Sequence, residues 1–306
     1  MSKTALLFAG QGAQVVGMGR DLAEQFPLAC EWFDRADAAL GYDLSAICFN
    51  GPEADLTKTE NAQPGIFLTS WVCFELLKEQ VPHLKFDATA GLSLGEFTAL
   101  TVAGAMSFED GLRIARQRGK FMHEACDANR GGMAAVIGLD EAPAREVCAE
   151  AGVTLANLNC PGQLVISGES ERISKAVELA KAKGARRAIP LVVAGAYHSP
   201  LMAGAQARLQ QELAKIKISP PAVPVISNVT AQPHGPDISA RLVEQVTSSV
   251  LWENSMRYLL MHGFTRFIEL GPGTALSGFM KRIDKSVQML NVADAASLNA
   301  TATALK

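Results

Sequence analysis

Residues Gly131–Val193 read GGMAAVIGLDEAPAREVCAEAGVTLANLNCPGQLVISGESERISKAVELAKAKGARRAIPLVV, and the order of elements in this stretch decides the fold. Met133–Leu139 is a strand segment, Asp140–Ala151 has the composition of a helix, and Val153–Asn157 is again a strand. Gln163–Ser167, Ser170–Lys183 and Arg187–Val193 then follow as strand, helix and strand. The order βαββαβ is the split, ferredoxin-like arrangement, and it begins after the Gly131-Gly132 break. Outward from it, strand-like and helix-like stretches alternate, as in an α/β protein with a mostly parallel sheet. Thr4–Ala9 is an apolar run stopped by Gly10-Gln11-Gly12, and Thr69–Glu79 reads as a buried helix. Ala88–Ala90 is a short strand broken by Gly91, and Phe267–Leu270 is a strand stopped by Gly271-Pro272-Gly273 before a helix at Thr274–Ile283. The spacing therefore predicts one α/β body from 1–127 and 197–306, with a subdomain inserted at 128–196 and a cleft where the two meet.

Composition narrows the class. Of 306 residues, 48% are hydrophobic and 19% charged, against a usual ~25% charged, which excludes a disordered chain and predicts a large core. Lys and Arg number 28 against 31 Asp and Glu, a balance with no basic footprint for nucleic acid. No apolar run approaches the ~20 residues needed to span a bilayer. Met1-Ser2-Lys3 leads straight into a strand, with no signal or transit pattern, so a soluble, cytoplasmic protein is expected. Cys30, Cys48, Cys73, Cys126, Cys148 and Cys160 match neither CxxC nor zinc-ligand spacing. Reduced, mostly buried thiols and no bound metal are expected.

The sharpest local signal is Gly91-Leu92-Ser93-Leu94-Gly95 between a short strand and a helix. A nucleophilic serine on such an elbow needs tiny neighbours, and the helix N-terminus behind it supplies free N–H groups and partial positive charge. A serine nucleophile needs a base. Of the five histidines, His83, His123, His234 and His262 fall in polar, turn or helix-end positions. His198 follows an apolar strand and the small-residue turn Ala194-Gly195-Ala196, where the insertion rejoins the body. Arg118 lies on the apolar stripe of Ile114, Ala115 and Met122 in the helix Gly111–Ala125. An arginine aimed inward must meet an anion, either an internal carboxylate or a substrate's. Gly10-Gln11-Gly12-Ala13-Gln14 fails as a dinucleotide fingerprint because Val15 replaces the third glycine. Its outward N–H groups suit half of an oxyanion hole.

These motifs occur in order with Gln117–Met122, Asn157–Gln163, Gly195–Ser199, Ser227–Thr230 and Glu269–Gly273 over nearly the whole chain. Together they resemble the malonyl-CoA:acyl-carrier-protein transacylases, the free-standing acyltransferases of type II fatty-acid synthesis. The resemblance implies a hydrolase-like α/β body with a ferredoxin-like insertion, and ping-pong malonyl transfer through a malonyl-serine. It implies Ser93 as nucleophile, His198 as base, and Arg118 as the partner of the malonyl carboxylate. The backbone N–H groups of Gln11 and Leu94 would form the oxyanion hole, and the Gln245 carbonyl would orient the histidine. Asn157 and Asn159 either line the cleft or cap a turn. Malonyl-CoA and a holo acyl carrier protein are the implied partners of a monomeric enzyme that needs no metal, nicotinamide or flavin. For an acidic carrier, Lys181, Lys183, Arg186 and Arg187 form either a docking surface or a solvated charge run. Leu92 stands where many members carry histidine, and Gly195–His198 reads GAYH rather than the HAFH or YASH of modular polyketide synthases.

Three rival readings use some of the same residues. A serine acyl hydrolase shares the elbow and the histidine but would more naturally supply an acidic third member. A trans-acting polyketide synthase acyltransferase shares every motif. A non-catalytic dinucleotide binder has no need of Ser93.

Overall fold

The computed structural model describes residues 3–306. Its strands are β1 (Lys3–Phe8), β2 (Ala88–Gly91), β3 (Gly131–Ile137), β4 (Thr154–Cys160), β5 (Gln163–Glu169), β6 (Arg187–Pro190), β7 (Val225–Ile226), β8 (Phe264–Leu270) and β9 (Gln288–Val292). The chain divides into two compact units. The first comprises the chain to Gly119, Ile216–Ile226 and Leu259–Lys306; the second is Lys120–Lys215 with Ser227–Tyr258.

The first unit carries a five-stranded sheet in the order β7-β2-β1-β8-β9, parallel at every pairing. β1 lies at its centre, and Ala5, Leu6, Leu7 and Phe8 are all fully buried, as a strand covered on both faces requires. Phe8 pairs with Gly91 on one side and Leu270 on the other. β1, β2 and β8 therefore end level, and the turns at Gly10, Leu92 and Gly271 leave the same carboxyl edge of the sheet. That edge is where open parallel sheets bind ligands. The helix expected at Thr69–Glu79 is longer, running from Thr59 to Gln80 with Pro64 inside it. Pro64 stands in the second turn and forfeits one bond to the Glu60 carbonyl. Full burial of Ala62, Ile66, Phe67 and Leu68 carries the helix through it.

The second unit carries the antiparallel sheet β4-β5-β3-β6. Taken with the helices Glu141–Ala151 and Ser170–Ala182, this is the βαββαβ order expected from the sequence. Val136, Val147, Leu155, Ile166, Ile173 and Val177 share its core. The segment 128–196 lies whole within this unit, which also takes in 120–127, 197–215 and 227–258. Backbone pairing ties in the last of these: Leu158 N–H donates to the Val250 carbonyl at 3.0 Å, and Val250 N–H to the Ala156 carbonyl at 2.8 Å. A distant loop thus extends the edge at β4. The strand expected at Arg187–Val193 stops at Pro190, on the other edge of the sheet. Leu191 N–H still donates to the Met133 carbonyl at 2.9 Å, but Val192 beyond it is wholly exposed, with no packed face to hold it as strand.

Candidate active site

Ser93 occupies the turn between β2 and the helix Leu94–Val102, at φ +52° and ψ −101°. An L-residue adopts that backbone only where the surroundings over-determine it. Glycine packing does so here. A Cβ on Gly91 would stand 1.8 Å from the Gly95 carbonyl carbon, and one on Gly95 would stand 2.1 Å from the Phe8 carbonyl oxygen. Strand and helix are flush, with no room for a side chain on either flank. The Gly95 and Glu96 N–H groups are taken by the Leu92 and Ser93 carbonyls at 3.0 and 3.2 Å. Leu94 N–H is the first amide of the helix and has no intrahelical carbonyl. The neighbouring turn after β1 touches the elbow directly, since a Cβ on Gly10 would stand 2.4 Å from the Leu92 carbonyl oxygen.

Arg118 is 1% exposed. Its Nη2 donates to Ser93 Oγ at 2.9 Å and its Nη1 to Gln63 Oε1 at 2.7 Å, while the guanidinium lies 5.3 Å from the Phe97 ring centre. The helix Phe108–Ala128 can bring it there because the next residue is Gly119, where a Cβ would stand 2.3 Å from the Thr59 carbonyl oxygen. Gln63 Nε2 donates to Gln11 Oε1, and Gln11 Nε2 donates to Thr59 Oγ1, each at 3.3 Å. Ser93, Arg118, Gln63, Gln11 and Thr59 thus form one hydrogen-bonded chain within the first unit. Gln63 and Thr59 were not singled out from the sequence. Pro64-Gly65 hid the helix that carries them, and a glutamine fully buried on a helix is visible only after folding.

In the second unit, His198 is 4% exposed and the only buried histidine of the five. Its Nδ1 lies 2.9 Å from the Gln245 carbonyl oxygen. A carbonyl only accepts, so Nδ1 carries the hydrogen, and in the neutral ring Nε2 is then the accepting nitrogen. Gln245 is the last residue of the helix Ile238–Gln245, so its carbonyl, which also accepts from Ser248 N–H at 3.3 Å, sits at the negative end of the helix dipole. His198 is itself at φ +56°. Its turn is pinned where a Cβ on Gly195 would stand 2.4 Å from Cys126 Sγ, and Ser199 Oγ donates to the Ala196 carbonyl at 2.7 Å.

Asn157 and Asn159 lie on β4, each less than one-tenth exposed. Asn157 bridges to Val250, and Asn159 Oδ1 is buried without a hydrogen-bond partner among the described residues. Of the four basic residues considered for docking, Lys181 pairs with Glu178 and Lys183 with Glu146, both at 2.9 Å. Five of the six cysteines are buried, and Cys30 is exposed. Among the described residues no helix is long and apolar enough to cross a membrane, and no three metal-ligating side chains come together. Of the residues named from sequence, Ser93, Leu94, Gln11 and Arg118 belong to the first unit, and His198, Gln245, Asn157 and Asn159 to the second.

A serine on a strand–turn–helix elbow beside a buried arginine matches a known class. Residues 5–296 match the acyl transferase domain family, and the chain belongs to it; it is an acyltransferase. Within that family it is similar over its full length to malonyl CoA-acyl carrier protein transacylases. The Bacillus subtilis enzyme of that name is 45% identical, with all of this chain and 98% of the relative covered. The crystal structure of the Clostridium perfringens malonyl CoA-acyl carrier protein transacylase is 42% identical with a TM-score of 0.95, covering 99% and 97% of the two chains. A malonyl-transacylase solved in complex with a type II polyketide-synthase acyl-carrier protein is 36% identical with a TM-score of 0.95, covering 99% and 100%.

Proposed function

We propose that this chain transfers malonyl from malonyl-CoA to the phosphopantetheine thiol of an acyl carrier protein for fatty-acid synthesis, through an ester on Ser93. The observation that carries this reading is the buried Arg118, whose guanidinium donates to Ser93 Oγ at 2.9 Å. An acetyl donor has no use for a cation there, whereas a malonyl donor brings a free carboxylate that the planar fork can bind. The names of the full-length relatives support the donor, and the carrier-bound structure supports the acceptor.

Catalysis then follows from the groups described. His198 Nε2 accepts the Ser93 proton as Oγ attacks the thioester carbonyl. The Gln11 and Leu94 N–H groups receive the oxyanion. The Gln245 carbonyl and its helix end stabilise the positive ring, in place of a triad aspartate. The C–S bond breaks, coenzyme A leaves as a thiol with the proton from His198, and the carrier thiol repeats the steps in reverse. Asn157 and Asn159 contribute polar groups that hold the acyl donor. Arg186 and Arg187 serve the acidic carrier, since Lys181 and Lys183 are already paired. The reaction needs no metal or redox cofactor, and the enzyme works as a cytoplasmic monomer.

The test is intact-mass measurement after mixing with malonyl-CoA. A malonyl adduct on the wild type, absent from Ser93→Ala and discharged by holo carrier protein, is expected. Rapid release of free malonate without an acceptor would make the chain a hydrolase instead.

A further inference from the structure

The side chain of Gln11 is gripped at both ends by one helix face. Thr59 and Gln63 stand four residues apart on the helix Thr59–Gln80 and so lie one above the other. Thr59 Oγ1 accepts from Gln11 Nε2, and Gln63 Nε2 donates to Gln11 Oε1. Both residues are buried, at 1% and 0% exposure. The turn so held leaves β1 at Gly10 and carries the Gln11 backbone N–H. Gln63 has a second duty on Arg118, whereas Thr59 meets the network at Gln11. A backbone donor has no side chain of its own to adjust, so its aim depends on what holds the turn, and donors are effective only when pre-organised.

We propose that Thr59 is a positioning residue for acyl transfer: its hydroxyl clamps the Gln11 side chain and thereby aims the Gln11 backbone N–H at the developing oxyanion. The proposal rests on the acyl-transfer reading above. It separates two effects along one hydrogen-bonded chain. Arg118 acts on donors that carry a carboxylate, and Thr59 acts on every donor, because every thioester develops an oxyanion.

Rapid-quench intact-mass kinetics on the full chain test this with malonyl-CoA and acetyl-CoA as separate donors. Losing an oxyanion donor outright costs roughly 10²–10³ in rate, so misaiming one by Thr59→Val is expected to slow acylation about tenfold with both donors. KM should stay within about twofold, and Thr59→Ser, which keeps the hydroxyl, should recover the wild-type rate. Gln11→Leu keeps the backbone N–H but removes the gripped amide. It should slow acylation at least as much as Thr59→Val, since it also loses the Gln63 bond, and the double variant should be no slower than Gln11→Leu alone. The proposal is overturned by a wild-type rate in Thr59→Val, by slowing confined to malonyl-CoA, by failure of Thr59→Ser to rescue, or by additive losses. Should Thr59→Val not fold, as read by its melting curve, a full rate in Gln11→Leu overturns the clamp and a tenfold loss supports it. A wild-type protein that takes no acyl group from either donor sinks the transacylase reading itself, and the clamp with it.

Discussion

Ser93 and His198 both hold a positive φ, +52° and +56°, and neither is glycine. The two turns reach that shared backbone state by different means. At Ser93 the cause is missing atoms: Gly91 and Gly95 leave no space for a Cβ between β2, β1 and the following helix. At His198 one tight glycine, Gly195, is joined by bonds, with Ser199 closing the turn onto the Ala196 carbonyl and the Gln245 carbonyl holding Nδ1 from 47 positions away. An elbow built on glycines fails wholesale when one is changed. An orientation held by a backbone carbonyl survives loss of the side chain that happens to carry it.

That contrast can be broken by substitution. Gly91→Ala should be the most damaging change, because its Cβ would lie inside the contact distance of Gly95 backbone atoms. Overpacking of this kind without a flexible neighbour is expected to cost more than about 4 kcal/mol, read as a collapse of the urea midpoint together with loss of the Ser93 adduct. His198→Ala should leave the melting curve near wild type while slowing acylation by about 10²–10⁴. A rate close to wild type would remove the histidine from the mechanism.

Arg118→Ala is expected to lower kcat/KM for malonyl-CoA by roughly 10- to 100-fold, the worth of a charged hydrogen-bonded pair. Acetyl-CoA should be far less affected, and equal losses would show that the arginine serves the fold rather than the carboxylate. Gln245→Ala keeps the carbonyl that faces His198, so acylation should stay within about tenfold of wild type, well short of the loss of the base itself. A deficit as large as that of His198→Ala would mean the side chain, not the backbone, holds the ring. The smallest effect concerns the thiols. Burial pushes Cys48 and Cys73 up to about 12, and Cys126 and Cys148 up to about 11. At neutral pH these four are protonated and weakly nucleophilic. Iodoacetamide followed by peptide mapping should find exposed Cys30 modified first, with little change in activity.

The legibility of each part follows the range of the forces that shape it. The second unit's sheet was readable because strand and helix alternate with local turn signals, and β3 to β6 pair as that order requires. The serine elbow was readable because small residues at fixed spacing are themselves the cause. Arg118 was found from its stripe, yet its partners were left open between a protein carboxylate and a substrate's. The structure supplies Gln63 and Ser93 as partners. Gln63 escaped because Pro64 reads as a break, although tertiary burial overrides it. The end of β6 was misplaced because Leu191, Val192 and Val193 look like strand, whereas past Pro190 all three side chains stand exposed with no core to cover them. Gln245 was reached only through family resemblance, since a carbonyl is common to every residue and leaves no mark in the sequence.

By itself, then, the sequence determined the α/β class, the βαββαβ order and the Ser93 elbow, all of which are marked by residues a few positions apart. Only the tertiary structure decided which atoms hold Arg118, Gln11 and His198. Their partners lie 55, 48 and 47 positions away, and contacts over such separations exist only once packing has chosen which helix faces which loop.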